Sequence, residues 1–153
     1  DLLADLIIRG IAVKAETVAR DLKETGADGT IGREALNYGH TLGHAIERQE
    51  KYQNRHGEAI AVGMVFAAEL AERAGFIDAA LVARHRSILE LVGLPITWAG
   101  ASFEDMLATM RLDKKSRGSQ LRFVVLDGLG TTTIFAAPSE QLLRDSFDAV
   151  RGE

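Results

Sequence analysis

The spacing of apolar residues along the chain predicts a protein built mainly from helices. Apolar positions recur at helical spacing over residues 2–24, where Gly10 is a candidate break, and again over 33–50. Further segments with helix-forming composition follow at 57–74, 78–92, 103–111 and 140–150. Two short apolar runs, 121–126 and 131–136, flank Asp127-Gly128 and predict a single β-hairpin.

The segment 57–74 is apolar on nearly all sides, which is typical of a buried helix. A short polar connection, 51–56, separates it from the helix predicted at 33–50. Such a short connection allows the two helices to fold back on each other. The glycines of 25–32 mark a loop. The segment Gly93-Leu94-Pro95 ends the helix predicted at 78–92.

Composition narrows the classes of function. A net charge of −4 argues against a general nucleic-acid or membrane-surface binder. The chain has no cysteine, so disulfides, thiolate zinc sites and cysteine nucleophiles are excluded. No apolar run reaches the roughly 20 residues that span a bilayer. The chain begins at Asp1, already in helical register, which favours a piece of a longer protein.

Three histidines are close together in the sequence, at positions 40, 44 and 56. His40 and His44 are four residues apart, so on a helix their rings share one face, and the short connection brings His56 near them. Neutral imidazoles at this spacing can hold zinc, but such a pair can equally be a surface or capping feature. The residues between the pair are Thr-Leu-Gly, so the zinc-protease motif H-E-x-x-H is absent.

A glycine adjoins each of these histidines: Gly39, Gly43 and Gly57. Glycine within a helix costs roughly 1 kcal/mol relative to alanine, so its presence needs a reason. Either a ligand approaches the backbone closely here, or two helices pack tightly. The pattern leaves both explanations open.

Four stretches of sequence carry a family resemblance. They are K-A-E-T-V-A-R-D-L-K-E (14–24), L-N-Y-G-H-T-L-G-H-A-I-E (36–47), R-H-G-E-A-I-A-V-G-M (55–64) and D-K-K (113–115). Together they resemble 3-dehydroquinate synthase, and R-F-V-V-L-D-G-L (122–129) resembles its actinobacterial branch. The resemblance implies a mainly α, multi-helical C-terminal domain of the dehydroquinate synthase-like fold, spanning residues 1–153, with one small β-hairpin.

The resemblance also implies an activity. Enzymes of this family are cytoplasmic lyases that convert the sugar acid phosphate DAHP to 3-dehydroquinate with phosphate release, in the shikimate pathway of aromatic amino acid biosynthesis. They use NAD⁺ and a divalent metal, Zn²⁺ or Co²⁺. Neither nucleic acid nor a membrane is an expected partner. NAD⁺ is held mainly by an N-terminal domain that this chain lacks, so the chain alone is expected to be inactive, and the whole enzyme is expected to be a homodimer.

Roles for individual residues follow from the same resemblance. His40 and His56 match the metal ligands, with the family's third ligand, a glutamate, lying upstream of this chain, and His44 matches a residue that contacts substrate and transfers protons. The other matched positions bind or act on the substrate: Lys14, Arg33 and Asn37 at its carboxylate, hydroxyls or phosphate, Glu24 in the same pocket, and Lys114 and Lys115 at the phosphate end. About five extra residues within 25–32 interrupt the family pattern between Glu24 and Arg33.

Two alternatives remain open. The chain could belong to a related sugar phosphate cyclase or a metal-dependent dehydrogenase of the same superfamily. It could also be a non-catalytic helical module, because no G-x-G-x-x-G turn for a dinucleotide occurs in it.

Two residues outside the motifs have a structural interpretation. His85 lies between two arginines and is interpreted as a surface histidine, and Trp98 is interpreted as a packing residue.

Overall fold

A computed structural model describes residues 1–21, 31–114 and 120–152, without the side chains of residues 113 and 114. The chain divides into two compact units, Asp1–Asn37 and Tyr38–Glu153. None of the helices in these described segments is long and apolar enough to cross a lipid bilayer.

The first unit contains helix α1, Leu2–Arg20, and a 3₁₀ helix, Gly32–Asn37. Asp1 caps α1 by accepting a hydrogen bond from the Leu3 backbone N–H at 3.1 Å. The break predicted at Gly10 is wrong, because α1 runs through it without interruption. The cost of one helical glycine, roughly 1 kcal/mol, is too small to end a helix whose neighbours are good helix formers.

The helix predicted over 33–50 is also wrong as a single element. It divides into the 3₁₀ helix and helix α2, His40–Gln49, with a turn at Tyr38 and Gly39. The cause is Gly39, whose φ of +78° is left-handed and cannot continue a right-handed helix. This turn makes His40 the first residue of α2.

The described part of the second unit contains α2, four further helices and a hairpin. These elements are α3 (His56–Arg73), α4 (Ala79–Leu91), α5 (Phe103–Lys114), β1 (Arg122–Leu126), β2 (Thr132–Ala136) and α6 (Glu140–Asp148). The strands are antiparallel, with Arg122 opposite Ala136 and Leu126 opposite Thr132. The predicted class, mainly helical with one small hairpin, is confirmed.

Helix α3 is the centre of the second unit. It packs against α2, α4, α6 and β1, and residues on all its sides are buried, as its apolar sequence predicts. Phe66 illustrates the packing, with its ring 5.8 Å from that of Phe123 on β1. Because α3 is fixed on several sides, its first residue, His56, has a well-defined position.

The contact between α2 and α3 depends on glycine. A Cβ atom on Gly63 of α3 would lie 2.0 Å from the Gly39 carbonyl oxygen and 3.0 Å from the Gly43 backbone nitrogen. A Cβ on Gly39 would lie 2.7 Å from the Met64 backbone nitrogen. Of the two explanations for the glycines beside the histidines, tight helix packing therefore accounts for Gly39 and Gly43. Gly57 has no such neighbour among the described residues, since a Cβ there would meet no atom within 4 Å.

One ion-pair cluster ties α3 to α4 and to the end of α6. Arg86 donates to the Glu69 carboxylate at 2.6 Å and to the Ala149 carbonyl at 2.8 Å, and Arg73 also pairs with Glu69. Burial raises the pKa of Glu69. The hydrogen bonds and positive charges of Arg73 and Arg86 lower that pKa by a larger amount in total, so the net shift is downward. A carboxyl with a lowered pKa stabilises the fold while it is ionised.

This cluster predicts a pH-dependent loss of stability. We expect Glu69→Gln to lower the free energy of unfolding at pH 7 by roughly 2 kcal/mol, because hydrogen bonds to charged groups typically contribute 1.5–3 kcal/mol. The difference between wild type and variant should shrink as the pH falls from 4.5, the ordinary pKa of the group, towards the lowered pKa of Glu69 in the fold, because the carboxyl is protonated first in the unfolded chain and then in the folded protein. Urea unfolding at pH 7, 5 and 3 measures it, with Glu90→Gln on exposed α4 surface as the control. A constant difference across this range would contradict the assignment.

Candidate metal centre

The second unit brings three imidazole rings together at the start of two helices. His40 and His56 are the first residues of α2 and α3, and His44 lies one turn along α2. The ring centres are 5.1 Å apart for His40 and His44, 5.5 Å for His40 and His56, and 6.1 Å for His44 and His56. With Zn–N bonds near 2.0–2.1 Å, two imidazoles on one tetrahedral ion have ring centres about 5 Å apart. The spacing is therefore compatible with a shared ion.

Two of the rings are already oriented by hydrogen bonds from Nδ1. The Nδ1 atom of His56 lies 2.9 Å from Oε1 of Glu47, and that of His40 lies 3.1 Å from the Tyr38 carbonyl oxygen. A carboxylate and a carbonyl can only accept, so Nδ1 carries the hydrogen in both rings. In a neutral ring of this tautomer Nε2 holds a lone pair, which is the form in which histidine binds a metal.

Glu47 is a site residue that the sequence interpretation missed. It is on α2, three residues after His44, and its side chain is only 12% exposed. Its spacing from His44 was a usable signal, because residues three apart lie on the same helix face. A buried carboxylate beside histidines is costly unless it is paired, which marks the position as functional or tightly coupled to the site.

The described residues offer two ways to hold an ion. The family resemblance stated above implies His40 and His56 as the ligands, and the hydrogen bond between Glu47 and His56 would then orient one of them. By distance alone, ligand atoms of His44, Glu47 and His56 all lie within 4.8 Å of one another. The two sets share His56 and differ in whether His40 or His44 is the second imidazole, so mutation can separate them.

The electrostatic setting favours anions. The N-termini of α2 and α3 both carry the positive end of a helix dipole, and both meet at the histidines. A bare cation is disfavoured there, so the carboxylate of Glu47 offsets part of the positive potential. An ion bound at this position would present a strongly electropositive surface to an anionic substrate.

The connection between the two histidine helices has an unusual backbone. Lys51 and Tyr52 adopt φ values of 52° and 60°, although neither is glycine. Left-handed conformations cost roughly 1–2 kcal/mol for each such residue. The Tyr52 backbone N–H donates to the Glu47 carbonyl at 2.7 Å, which holds the turn against the end of α2. This turn fixes the path from α2 to His56.

The remaining predicted site residues are in the first unit, or their side chains lie outside the described part. Lys14 is exposed on α1, and Asn37 is exposed at the end of the 3₁₀ helix. Arg33 is half-buried, and its backbone N–H donates to Oδ2 of buried Asp21 at 3.1 Å. Glu24 and Lys115 lie outside the described residues, and Lys114 ends α5 with its side chain undescribed.

The surface interpretation of His85 is wrong. His85 is half-buried on α4, with Nδ1 2.8 Å from the Leu81 carbonyl oxygen and Nε2 3.2 Å from the Tyr38 hydroxyl. Sequence spacing alone could not reveal this contact, because its partner is far away in the chain. Burial raises the pKa of the Tyr38 hydroxyl far above its usual value, so the hydroxyl keeps its proton.

Comparison with known proteins identifies the family of this chain. A family model described as 3-dehydroquinate synthase C-terminal matches residues 1–116. The chain belongs to this family. It is 58% identical to 3-dehydroquinate synthase of Thermobifida fusca over 97% of its length and 52% identical to that of Streptomyces coelicolor over 96%. It spans 39% of the length of each of these curated relatives. The resemblance and its actinobacterial character are confirmed.

Solved structures support the fold. A 2-epi-5-epi-valiolone synthase from Streptomyces hygroscopicus, with NAD⁺ and Zn²⁺ bound, superposes with a TM-score of 0.81 at 18% identity, over 96% of this chain and 39% of that one. A 2-deoxy-scyllo-inosose synthase complexed with carbaglucose-6-phosphate, NAD⁺ and Co²⁺ gives 0.60 at 28% identity, over 73% of this chain and 32% of that one. The dehydroquinate synthase-like fold expected from the sequence is confirmed.

Proposed function

We propose that this chain is the metal- and substrate-binding part of a 3-dehydroquinate synthase. The whole enzyme would convert DAHP to 3-dehydroquinate and release phosphate, using NAD⁺ and a divalent metal. The observation that carries the proposal is the cluster of His40, His44 and His56, in which two rings are oriented with Nε2 available. Membership of the family at 58% identity to a curated synthase connects that cluster to this reaction.

The donor set fits Zn²⁺ or Co²⁺. Imidazole is a preferred ligand of both ions, and the described segments contain a carboxylate, Glu47, hydrogen-bonded to one of the rings. We assign His40 and His56 as ligands through Nε2 and Glu47 as the group that orients His56. A glutamate outside this chain completes the ligand set by family resemblance. A divalent ion held by these residues would supply Lewis acidity that lowers the pKa of a substrate hydroxyl.

Substrate handling is assigned to side chains of this chain. His44 is exposed and lies beside both ligand rings, so its imidazole is suited to exchange a proton with bound substrate. Arg33 suits bidentate binding of a carboxylate, and the lysines suit phosphate as point charges. By family resemblance, Lys14 and Asn37 join Arg33, while Glu24, Lys114 and Lys115 complete the contacts.

The proposal includes an N-terminal domain of the same protein as a partner. The chain spans 39% of the Thermobifida fusca relative, and its sequence contains no dinucleotide-binding glycine turn. Helix α1 offers an apolar surface for such a partner, with large hydrophobic side chains more than half exposed at Leu2, Leu3, Leu6, Ile7, Ile8, Ile11 and Val13. NAD⁺ binding is therefore assigned to that domain, and the isolated chain is expected to be inactive.

A chimaeric enzyme tests the activity. The matching segment of the Thermobifida fusca synthase is replaced by this chain, and dehydroquinate and phosphate are measured from DAHP with NAD⁺ and Co²⁺. We expect turnover by the chimaera, none by the chain alone, and a loss of at least about 100-fold on His56→Ala, because that change removes a metal ligand. The unmodified synthase and its own counterpart of the His56 variant serve as matched controls.

The same assay separates the alternatives. Turnover of sedoheptulose 7-phosphate in place of DAHP would favour a related sugar phosphate cyclase. A folded chimaera that binds Co²⁺ and NAD⁺ but turns over neither substrate would favour a non-catalytic role. Turnover by the isolated chain would show that the proposed division between domains is wrong.

A further inference from the structure

A tyrosine and a histidine behind the metal centre form a connected pair. The Tyr38 hydroxyl lies 3.2 Å from Nε2 of His85 on α4 and 3.3 Å from the Met64 carbonyl oxygen on α3. The rings of Tyr38 and His85 meet edge to face, with centres 5.9 Å apart. Both side chains line an otherwise largely apolar pocket of about 330 Å³ with Leu81 and Ile88. Neither residue belongs to the proposed ligand set.

The direction of these hydrogen bonds follows from their acceptors. The Leu81 carbonyl can only accept, so Nδ1 of a neutral His85 donates to it at 2.8 Å. Nε2 of His85 is then an acceptor, and the Tyr38 hydroxyl donates to it. Because a hydroxyl has a single proton, its contact with the Met64 carbonyl is the secondary one. His85 therefore holds the Tyr38 side chain in one position.

The backbone carries this constraint to the metal centre. The carbonyl of Tyr38 is the acceptor for Nδ1 of His40, at 3.1 Å. Gly39, the only residue between them, is left-handed and is packed against Met64 so closely that no Cβ would fit. The turn is thus fixed at Tyr38 by its side chain and at Gly39 by its backbone. Its geometry sets the direction of the His40 ring.

We propose that Tyr38 and His85 are positioning residues for His40. His85 anchors the Tyr38 hydroxyl, and the anchored Tyr38 presents its carbonyl so that His40 keeps the hydrogen on Nδ1 and directs Nε2 to the ion. The role at the ion rests on the proposed function of His40 as a ligand. The effect on the His40 ring does not, because the hydrogen bond from its Nδ1 to the Tyr38 carbonyl involves no ion.

The test uses variants that remove the hydroxyl bond while keeping bulk. Tyr38→Phe deletes the donor, and His85→Leu deletes the acceptor in a pocket whose walls are mostly apolar. His85→Gln keeps an acceptor in reach and serves as the conservative variant, and Ser87→Ala on exposed α4 surface is the control. Imidazole ¹⁵N chemical shifts of the metal-free chain report the tautomer of His40. Visible absorption during Co²⁺ titration of the chimaeric enzyme carrying the same substitutions reports affinity.

We expect His40 to be the Nδ1–H tautomer in wild type, Ser87→Ala and largely in His85→Gln. Tyr38→Phe and His85→Leu should give a tautomer mixture and weaken Co²⁺ binding about 10–100-fold, the usual effect of losing a residue that orients a ligand. The double variant should be no worse than either single one, because both remove the same bond.

Two results would overturn the proposal. One is an unchanged His40 tautomer in both Tyr38→Phe and His85→Leu. The other is a lower unfolding midpoint with Co²⁺ affinity within twofold of wild type, which is the result expected of packing residues alone. A folded chimaeric enzyme, in which the ligand set is complete, that binds no Co²⁺ would instead overturn the proposed metal role of His40, and the tautomer measurement would still decide the positioning role.

Discussion

Gly63→Ala should destabilise the second unit by about 3 kcal/mol or more. The added Cβ would lie 2.0 Å from the Gly39 carbonyl oxygen, which belongs to backbone and not to a flexible side chain. The helices α2 and α3 must then separate, and overpacking of this kind typically costs 1–3 kcal/mol and more where backbone has to move. The gain in helix propensity, at most about 1 kcal/mol, is too small to compensate.

Gly57→Ala is the matched control for this prediction. It makes the same change on the same helix, but its Cβ meets no described atom within 4 Å. We expect it to be neutral or stabilising by up to about 1 kcal/mol. Urea unfolding of both variants, followed by circular dichroism, makes the comparison. Equal midpoints for Gly63→Ala and wild type would show that the helix contact is not as close as described.

The close contact between α2 and α3 also links the stability of the second unit to the metal centre. The histidines of α2 and α3 can meet only because the two helices approach closely at Gly39, Gly43 and Gly63. If Gly63→Ala still folds, the distance between His40 and His56 must increase. We therefore expect Co²⁺ affinity to fall together with stability in this variant.

The sequence predicted local features well where a single element determined them. The apolar residues on nearly all sides of α3 predicted a buried helix, and the two short runs on either side of Asp127-Gly128 predicted the hairpin. It failed where a conformation depends on a distant partner. The sequence predicted Gly39 to be helical. Its left-handed turn is stabilised by packing on Met64, which is remote in sequence, so the local pattern did not reveal it.

The candidate site shows the same division. Local spacing brought His40 and His44 together, and a short connection brought His56. Glu47 could have been found from its spacing to His44, but the contact of His85 with Tyr38 joins α4 to the start of α2 and has no local signature. Residues that orient ligands are therefore harder to predict than the ligands, because they are chosen by tertiary packing.

The second large effect concerns the ligand set. We expect His40→Ala and His56→Ala to weaken Co²⁺ binding by more than about 100-fold, which exceeds the usual loss for an orienting residue. Glu47→Gln should fall within the 10–100-fold range of an orienting residue. His44→Ala should lose less than about 10-fold, because its role is assigned to substrate and not to the ion. Calorimetry and visible absorption on each purified variant give the order.

The physical reason for this order is the bond between His56 and Glu47. Nδ1 of His56 lies 2.9 Å from Oε1 of Glu47 and donates a hydrogen bond to this carboxylate. The Nε2 atom of His56 is therefore left to coordinate a metal. His40 has the same arrangement through the Tyr38 carbonyl, so two rings present equivalent nitrogens. The competing set of His44, Glu47 and His56 predicts the reverse order for His40 and His44. A His44→Ala chain that loses Co²⁺ while His40→Ala retains it would establish that set and make Glu47 a ligand.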